Sequence, residues 1–263
     1  MGPKIGLIGI VGDEIKKDPW GTLRRVADIG YQGIESPARI AERVELPREE
    51  FRQKLGEMGL EAVAQGGVFL PGDDEKVESA IEAADAMDAD YIVTYWGPCE
   101  SREQLLEQAE FLDAAGARCR EAGLTLCYHN HNHEFATFDG DYGLDVLLGN
   151  THPDNVQCEL DVAWVTYGGA DPAQMIRRYA GRCPILHVKD FASVPDGGAT
   201  GNDERGEHDF TEVGTGVVDI PAVVDAALDC DVRWLVVEQD RMRDLPPMES
   251  IRVSYQNLSR LLS

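Results

Sequence analysis

The sequence predicts an α/β protein folded as a (β/α)8 barrel, and three observations carry that prediction. Short apolar runs rich in branched residues alternate with longer amphipathic stretches along the whole chain. Eight such strand–helix pairs can be counted, and this alternation builds a parallel sheet covered by helices. The length of 263 residues is what one closed barrel of eight units needs, so residues 1–263 read as a single barrel domain. An open, doubly wound sheet is the competing arrangement. It lacks support, because no G-x-G-x-x-G follows the first strand.

The elements follow in order. KIGLIG, from Lys4, reads as strand one, and PWGTLRRVADIG, from Pro19, as a helix stopped at Gly30. GIES, from Gly33, precedes the helical PREEFRQKLGEMG, which has proline at its start and glycine at its end. EAVAQ, from Glu61, leads to the helix DDEKVESAIEAADAMDA with Asp73 as N-cap. YIVTYW, from Tyr91, leads to a long helix opened by the capping-box-like Ser101-x-x-Gln104. TLCYHNH, from Thr125, is followed by YGLDVLLG, and VQCELDVAW, from Val156, by DPAQMIRRYAG. PILHVKD, from Pro184, runs into a polar stretch and then DIPAVVDAALD. RWLVVEQD, from Arg233, precedes the last helix, ESIRVSYQNLSRLL.

Composition narrows the function. The formal charge is −24, with six lysines against eighteen arginines. Such a polyanion repels phosphates, so no nucleic-acid partner is expected; the acids are spread along the chain, as on a solvated acidic surface suited to high salt. No apolar run approaches a membrane span, and IGLIGIVG reads as a strand rather than a signal peptide. The six cysteines form no CxxC and no short-spaced cluster. That excludes a thiolate zinc site and a disulfide framework, and fits a reducing cytoplasm.

A barrel places its chemistry at the C-terminal ends of the strands. There the sequence puts Glu35, Tyr95-Trp96, the run Tyr128–Phe135 (YHNHNHEF), Glu159, Asp161 and Trp164, His187, Lys189 and Asp190, and Glu238-Gln239-Asp240. Alternation sets His129 with His131 on one face, Glu159 with Asp161, and His187 with Lys189, while Asp190 points the other way. An inward His, Asp, His and Glu from four consecutive strands would surround one point at the mouth. Mixed imidazole and carboxylate ligation suits a divalent metal ion without choosing among Mn, Zn, Co, Fe and Mg.

The segments GLTLCYHNHNHEF, CELDVAWVTYGGADP, RCPILHVKD, GTGVVD and WLVVEQD resemble the sugar phosphate isomerase/epimerase family of xylose isomerase-like TIM barrels. The likeness spans essentially the whole chain, in the branch that carries YHNHxxEF. It implies one divalent ion held by groups on strands five to eight, matched here by Asp161, His187 and Glu238. Many members carry a glutamate where His129 stands, which leaves His129, His131 and Glu134 as candidates for the strand-five ligand. His129 is the first choice of the three.

The resemblance implies an enzyme of carbohydrate metabolism, an isomerase or epimerase of a keto-sugar, sugar phosphate or related polyol working through a metal-held enediolate. Glu238 is the expected acid–base group, with Glu134 opposite it and His131 beside it. Glu35, Trp96, Trp164, Lys189, His208 and Glu212 are the expected substrate contacts. His133 is expected on a solvent-facing loop, and the stretch SVPDGGATGNDERGEHDF is expected to form a lid. The same enolisation could expel a β-hydroxyl or an aglycone, which makes a dehydratase or a 3-keto-glycoside lyase or hydrolase the alternative. An endonuclease IV-like nuclease fits poorly, because by resemblance it needs histidines that are absent from the early strands. A metal-free sugar-binding barrel is a third reading. A homodimer is an expectation of the family alone.

Overall fold

The computed structural model describes residues 2–201 and 208–263. Its parallel sheet contains nine hydrogen-bonded segments, two of which are halves of one strand. The strands are β1 (Lys4–Leu7), β2 (Gly33–Ile34), β3 (Glu61–Ala62 and Ala64–Gly67, broken at Val63) and β4 (Tyr91–Thr94). They continue as β5 (Thr125–His129), β6 (Val156–Asp161), β7 (Ile185–Val188) and β8 (Trp234–Val237). The first half of β3 pairs with β2 and the second with β4, and the amide of Val63 donates to Ile34 O at 2.9 Å. The broken strand therefore closes the ring. With β1 joined to β8, the result is the predicted eight-stranded barrel.

Helices cover the outside. They are α1 (Gly12–Lys17), α2 (Pro19–Ile29), α3 (Pro37–Arg43), α4 (Arg48–Glu57), α5 (Asp74–Met87) and α6 (Arg102–Glu121). The rest are α7 (Gly143–Gly149), α8 (Val162–Tyr167), α9 (Pro172–Arg178), α10 (Ile220–Asp229) and α11 (Pro247–Leu261). The caps follow the sequence closely. Ser101 Oγ accepts from Gln104 N at 3.2 Å, although Gln104 reaches back to the amide of Glu100 rather than to that of Ser101. Asp73 occupies the expected N-cap, but its carboxylate turns to Leu70 N and Lys76 Nζ instead.

The two-residue period of the strands sorts the barrel interior into layers. The lower layers are apolar: Tyr91, Val93, Cys127, Ile185, Trp234 and Val236 pack together. Two steps further along the same strands the inward positions become Tyr95, His129, His187 and Glu238. Trp234 needs room, and Gly33 supplies it. A Cβ there would meet the indole ring at 2.7 Å, so no larger residue fits.

Two stretches depart from the sequence reading. VQCELDVAW is not all strand, because β6 ends at Asp161 and Val162 begins α8. The HVKD strand ends at Val188, and Asp190–Phe191 pairs antiparallel with Phe210–Thr211 in a small separate ribbon. The six cysteines are free. Among the described residues no helix is long and apolar enough to cross a membrane.

Candidate active site at the barrel mouth

The site begins where the apolar layers stop. Register places His129 level with Glu159, and Asp161 level with His187. Glu159 Oε2 lies 3.0 Å from His129 Nδ1 and 3.2 Å from His187 Nε2. Glu35 Oε2 also meets His187 Nε2, at 3.0 Å, while its other oxygen accepts from Tyr95 OH at 2.5 Å. On the far nitrogen of His187, Glu238 Oε2 sits at 2.9 Å. Lys189 Nζ completes the cluster, 2.8 Å from Glu238, 3.0 Å from Asp240 and 3.3 Å from Asp161.

Burial makes these contacts electrostatically strong. His187 is only 1% exposed. Burial alone would lower its pKa, but the Glu159 and Glu35 carboxylates outweigh that and hold it well above the usual histidine value. His129 moves the other way, lowered by burial and by the neighbouring His187. Burial also pushes Asp161 up to about 6 and, with Glu35 adding to it, Glu159 up to about 8. Lys189 stays charged, since Asp240, Glu238 and Asp161 outweigh its burial. Glu238 is held below the usual carboxylate range, where Lys189 and His187 overcome the effect of burial.

Among the described residues, two sets of three side chains bring possible ligand atoms within 4.8 Å of one another: His129, Asp161 and His187, and Glu35, Glu159 and His187. The donor chemistry of both fits a divalent cation. Among the described residues, Glu159 Oε1 is buried with no hydrogen-bond partner, a costly state that a cation would relieve, while Asp161 Oδ2 makes no hydrogen bond and lies 3.3 Å from the Lys189 ammonium. Asp161 Oδ1 is already committed. It caps α8 by accepting from Ala163 N at 3.0 Å and Trp164 N at 2.9 Å.

The expected site residues divide accordingly. His129, Asp161 and His187 come together as the sequence suggested, and Lys189 joins them. Glu238 is adjacent but bonded to His187 and Lys189 rather than grouped with His129 and Asp161. Glu35, expected to touch substrate, belongs to the inner cluster. His131 lies just past the end of β5 with its ring 5.1 Å from that of His129, and burial pushes it down to about 3.

Glu134 is not brought to the cluster. Tyr128 OH donates to its Oε1 at 2.6 Å and the His131 amide to its Oε2 at 2.8 Å, so it ties down the turn after β5. His133 is buried rather than solvent-facing, with Nε2 3.1 Å from Gly97 O. Trp96 is half-buried beside His133, their ring centroids 6.0 Å apart. Trp164 lies on α8 rather than on a strand. Its ring packs against those of His131, Phe191, His208 and Phe210. Glu212 contacts Thr211 in its own turn.

Residues 202–207 of the expected lid lie outside the described residues. The part before them is pinned to the loop after β5, where Asn132 Nδ2 donates to Ala199 O at 2.8 Å and Gly201 O at 2.9 Å. Tyr95 and Asp240, which the sequence placed at strand ends without assigning them a role, both contact the cluster.

The shifts set a pH dependence. Asp161 and Glu159 have folded pKa values above their unfolded ones, so the folded protein binds more protons, and stability falls as pH rises through about 6 and about 8. His187 acts in the same direction. His129 and His131 oppose this only below the ordinary histidine value. Metal-free protein is therefore expected to lose thermal stability between pH 6.5 and 8, and an added divalent cation is expected to stabilise most at the upper end. Melting curves across that window check it; a midpoint that rises with pH would refute it.

Comparison with known proteins agrees with the barrel fold. A family model described as xylose isomerase-like TIM barrel matches residues 23–261. Inosose dehydratase from Geobacillus kaustophilus (strain HTA426) is 26% identical over 204 residues, 68% of this chain and 64% of that protein, so the chain spans under two thirds of this relative. A sugar phosphate isomerase/epimerase from Parabacteroides distasonis ATCC 8503 superposes with a TM-score of 0.82 at 21% identity, covering 100% of this chain and 96% of the other. The IOLI protein, solved with a binding zinc atom, gives a TM-score of 0.76 at 17% identity, with 99% and 98% covered. At these identities the structural likeness speaks for the fold.

Proposed function

The chain belongs to the xylose isomerase-like TIM barrel family, and from that premise we propose that it is a divalent-metal-dependent dehydratase acting on an uncleaved polyhydroxy ketone of the inosose kind. The observation that carries the reading is the convergence of His129, Asp161 and His187 at the mouth, with Glu238 alongside. The resemblance to inosose dehydratase supports elimination over the isomerisation or epimerisation that the sequence put first.

His129, Asp161 and His187 would hold the ion, which supplies Lewis-acid polarisation of a ketone oxygen. Glu238 would take the proton from the carbon beside that carbonyl. It is the most open of the inner carboxylates, with 19% of its side chain exposed. Lys189 and His187 keep it ionised, so it stands in the form that accepts a proton. Breaking the C–H bond leaves its electron pair on carbon. That pair forms the double bond as the β C–O bond breaks, and the proton on Glu238 passes to the departing hydroxyl, so water is lost overall. Lys189 stays charged throughout and orients Glu238.

Chelation followed by reloading with each of Mn, Zn, Co, Fe and Mg, with an inosose and a ketose panel assayed in deuterated water, tests the reading. Chelation is expected to abolish turnover, and the right ion to restore both water loss and deuterium uptake beside the carbonyl. Deuterium uptake with a changed stereocentre and no water loss would assign an epimerase. No exchange with any ion and any ketone would sink enolisation altogether.

A further inference from the structure

Asp190 follows Lys189 directly but faces away from the mouth, and it is fully buried. Its Oδ1 accepts from the amides of Phe191 at 2.9 Å and Val218 at 3.0 Å, and its Oδ2 from those of Gly214 at 3.0 Å and Gly216 at 2.9 Å. Backbone amides converging on one point make an anion-binding concavity. The loops after strands seven and eight are where barrels frequently hold a substrate phosphate.

The loop is shaped for this. Gly214 has φ +80, and a Cβ on Gly216 would lie 2.1 Å from Phe191 O and 2.4 Å from Asp190 Oδ1. Its other side is held independently by α11, where Asn257 Nδ2 donates to Val213 O at 2.8 Å and Val213 N to Ser254 Oγ at 3.2 Å. Removing the carboxylate would therefore leave the amides near their places. A second observation concerns charge. The mouth carries Glu35, Asp161, Glu238 and Asp240, and the nearby ammonium of Lys189 already contacts three of them.

We propose that the loop 212–218 is an oxyanion cradle that the chain fills with its own Asp190 carboxylate, so that a phosphate ester finds no grip there and the site takes an uncharged polyhydroxy ketone. The substrate half of this statement rests on the proposed dehydratase reading; the cradle half does not.

Asp190→Ala empties the cradle and Asp190→Asn fills it with an uncharged side chain. The alanine variant is expected to melt at least about 5 °C below the parent. Acetate, sulfate or inorganic phosphate at about ten to a hundred millimolar is expected to recover at least half of that loss. The parent and the asparagine variant are expected not to respond. If the alanine variant folds poorly, its refolding yield with and without these anions gives the same reading. An asparagine variant as stable as the parent, or anions that raise all three proteins alike, would overturn the cradle.

For the substrate half, metal-loaded parent protein is titrated with a cyclic polyhydroxy ketone and with its phosphate monoester. The ester is expected to bind at least about ten-fold more weakly, a difference of about 1.4 kcal/mol. An ester that binds equally or more tightly refutes the proposal. Should neither ketone bind, the dehydratase reading fails, while the anion titration still decides the cradle.

Discussion

Glu238→Gln is expected to lower turnover by about 10²–10⁴-fold while leaving the bound metal in place. Glutamine keeps the length and hydrogen-bonding reach of the side chain but cannot take a proton from carbon. Glu238 stands outside the group formed by His129, Asp161 and His187, on the opposite nitrogen of His187. Its loss should therefore cost chemistry more than metal affinity. Steady-state kinetics with elemental determination of metal on the same preparation separates the two. Metal lost in step with activity would instead make Glu238 a ligand, the other role that the resemblance gave it.

Asp161 should behave differently, because its two oxygens do different things. One caps α8 and the other is turned into the cluster, 3.3 Å from Lys189 Nζ. Asp161→Asn keeps a good N-cap, since asparagine caps helices about as well as aspartate. It removes the charge that a cation needs, so bound metal and activity are both expected to fall to near zero with little change in the folding of α8. Asp161→Ala is expected to lose the metal and, in addition, about 1 kcal/mol of stability from the vacated cap. Metal content and chemical denaturation of both variants decide the matter. An asparagine variant that keeps its metal would remove Asp161 from the ligand set.

Much of this site was legible because strand parity survives in the sequence. Counting by twos from the apolar interior, Tyr91 and Val93 lead to Tyr95, and Ile185 leads to His187 and Lys189. The same count would have chosen Tyr95 over Trp96, which has the wrong parity for the barrel interior. Parity fails where a strand ends early. Trp164 was carried as a strand residue because the apolar VAW continues the pattern of β6, yet the Asp161 cap turns the chain into α8 at that point. Glu134 was misplaced for a related reason. Its sequence distance from His129 says nothing about a tight turn whose carboxylate folds back on Tyr128. The partnership of Asp190 with the GTG loop joins residues more than twenty positions apart, and no local pattern announces it.

Trp234 and its neighbours have a further consequence. With Tyr91, Ile185 and Val236 they fill the lower barrel, and Gly33 lets the indole seat against the wall. The barrel is thus a vessel with a sealed base. Whatever the polar cluster binds therefore has to approach it from the side of the strand ends.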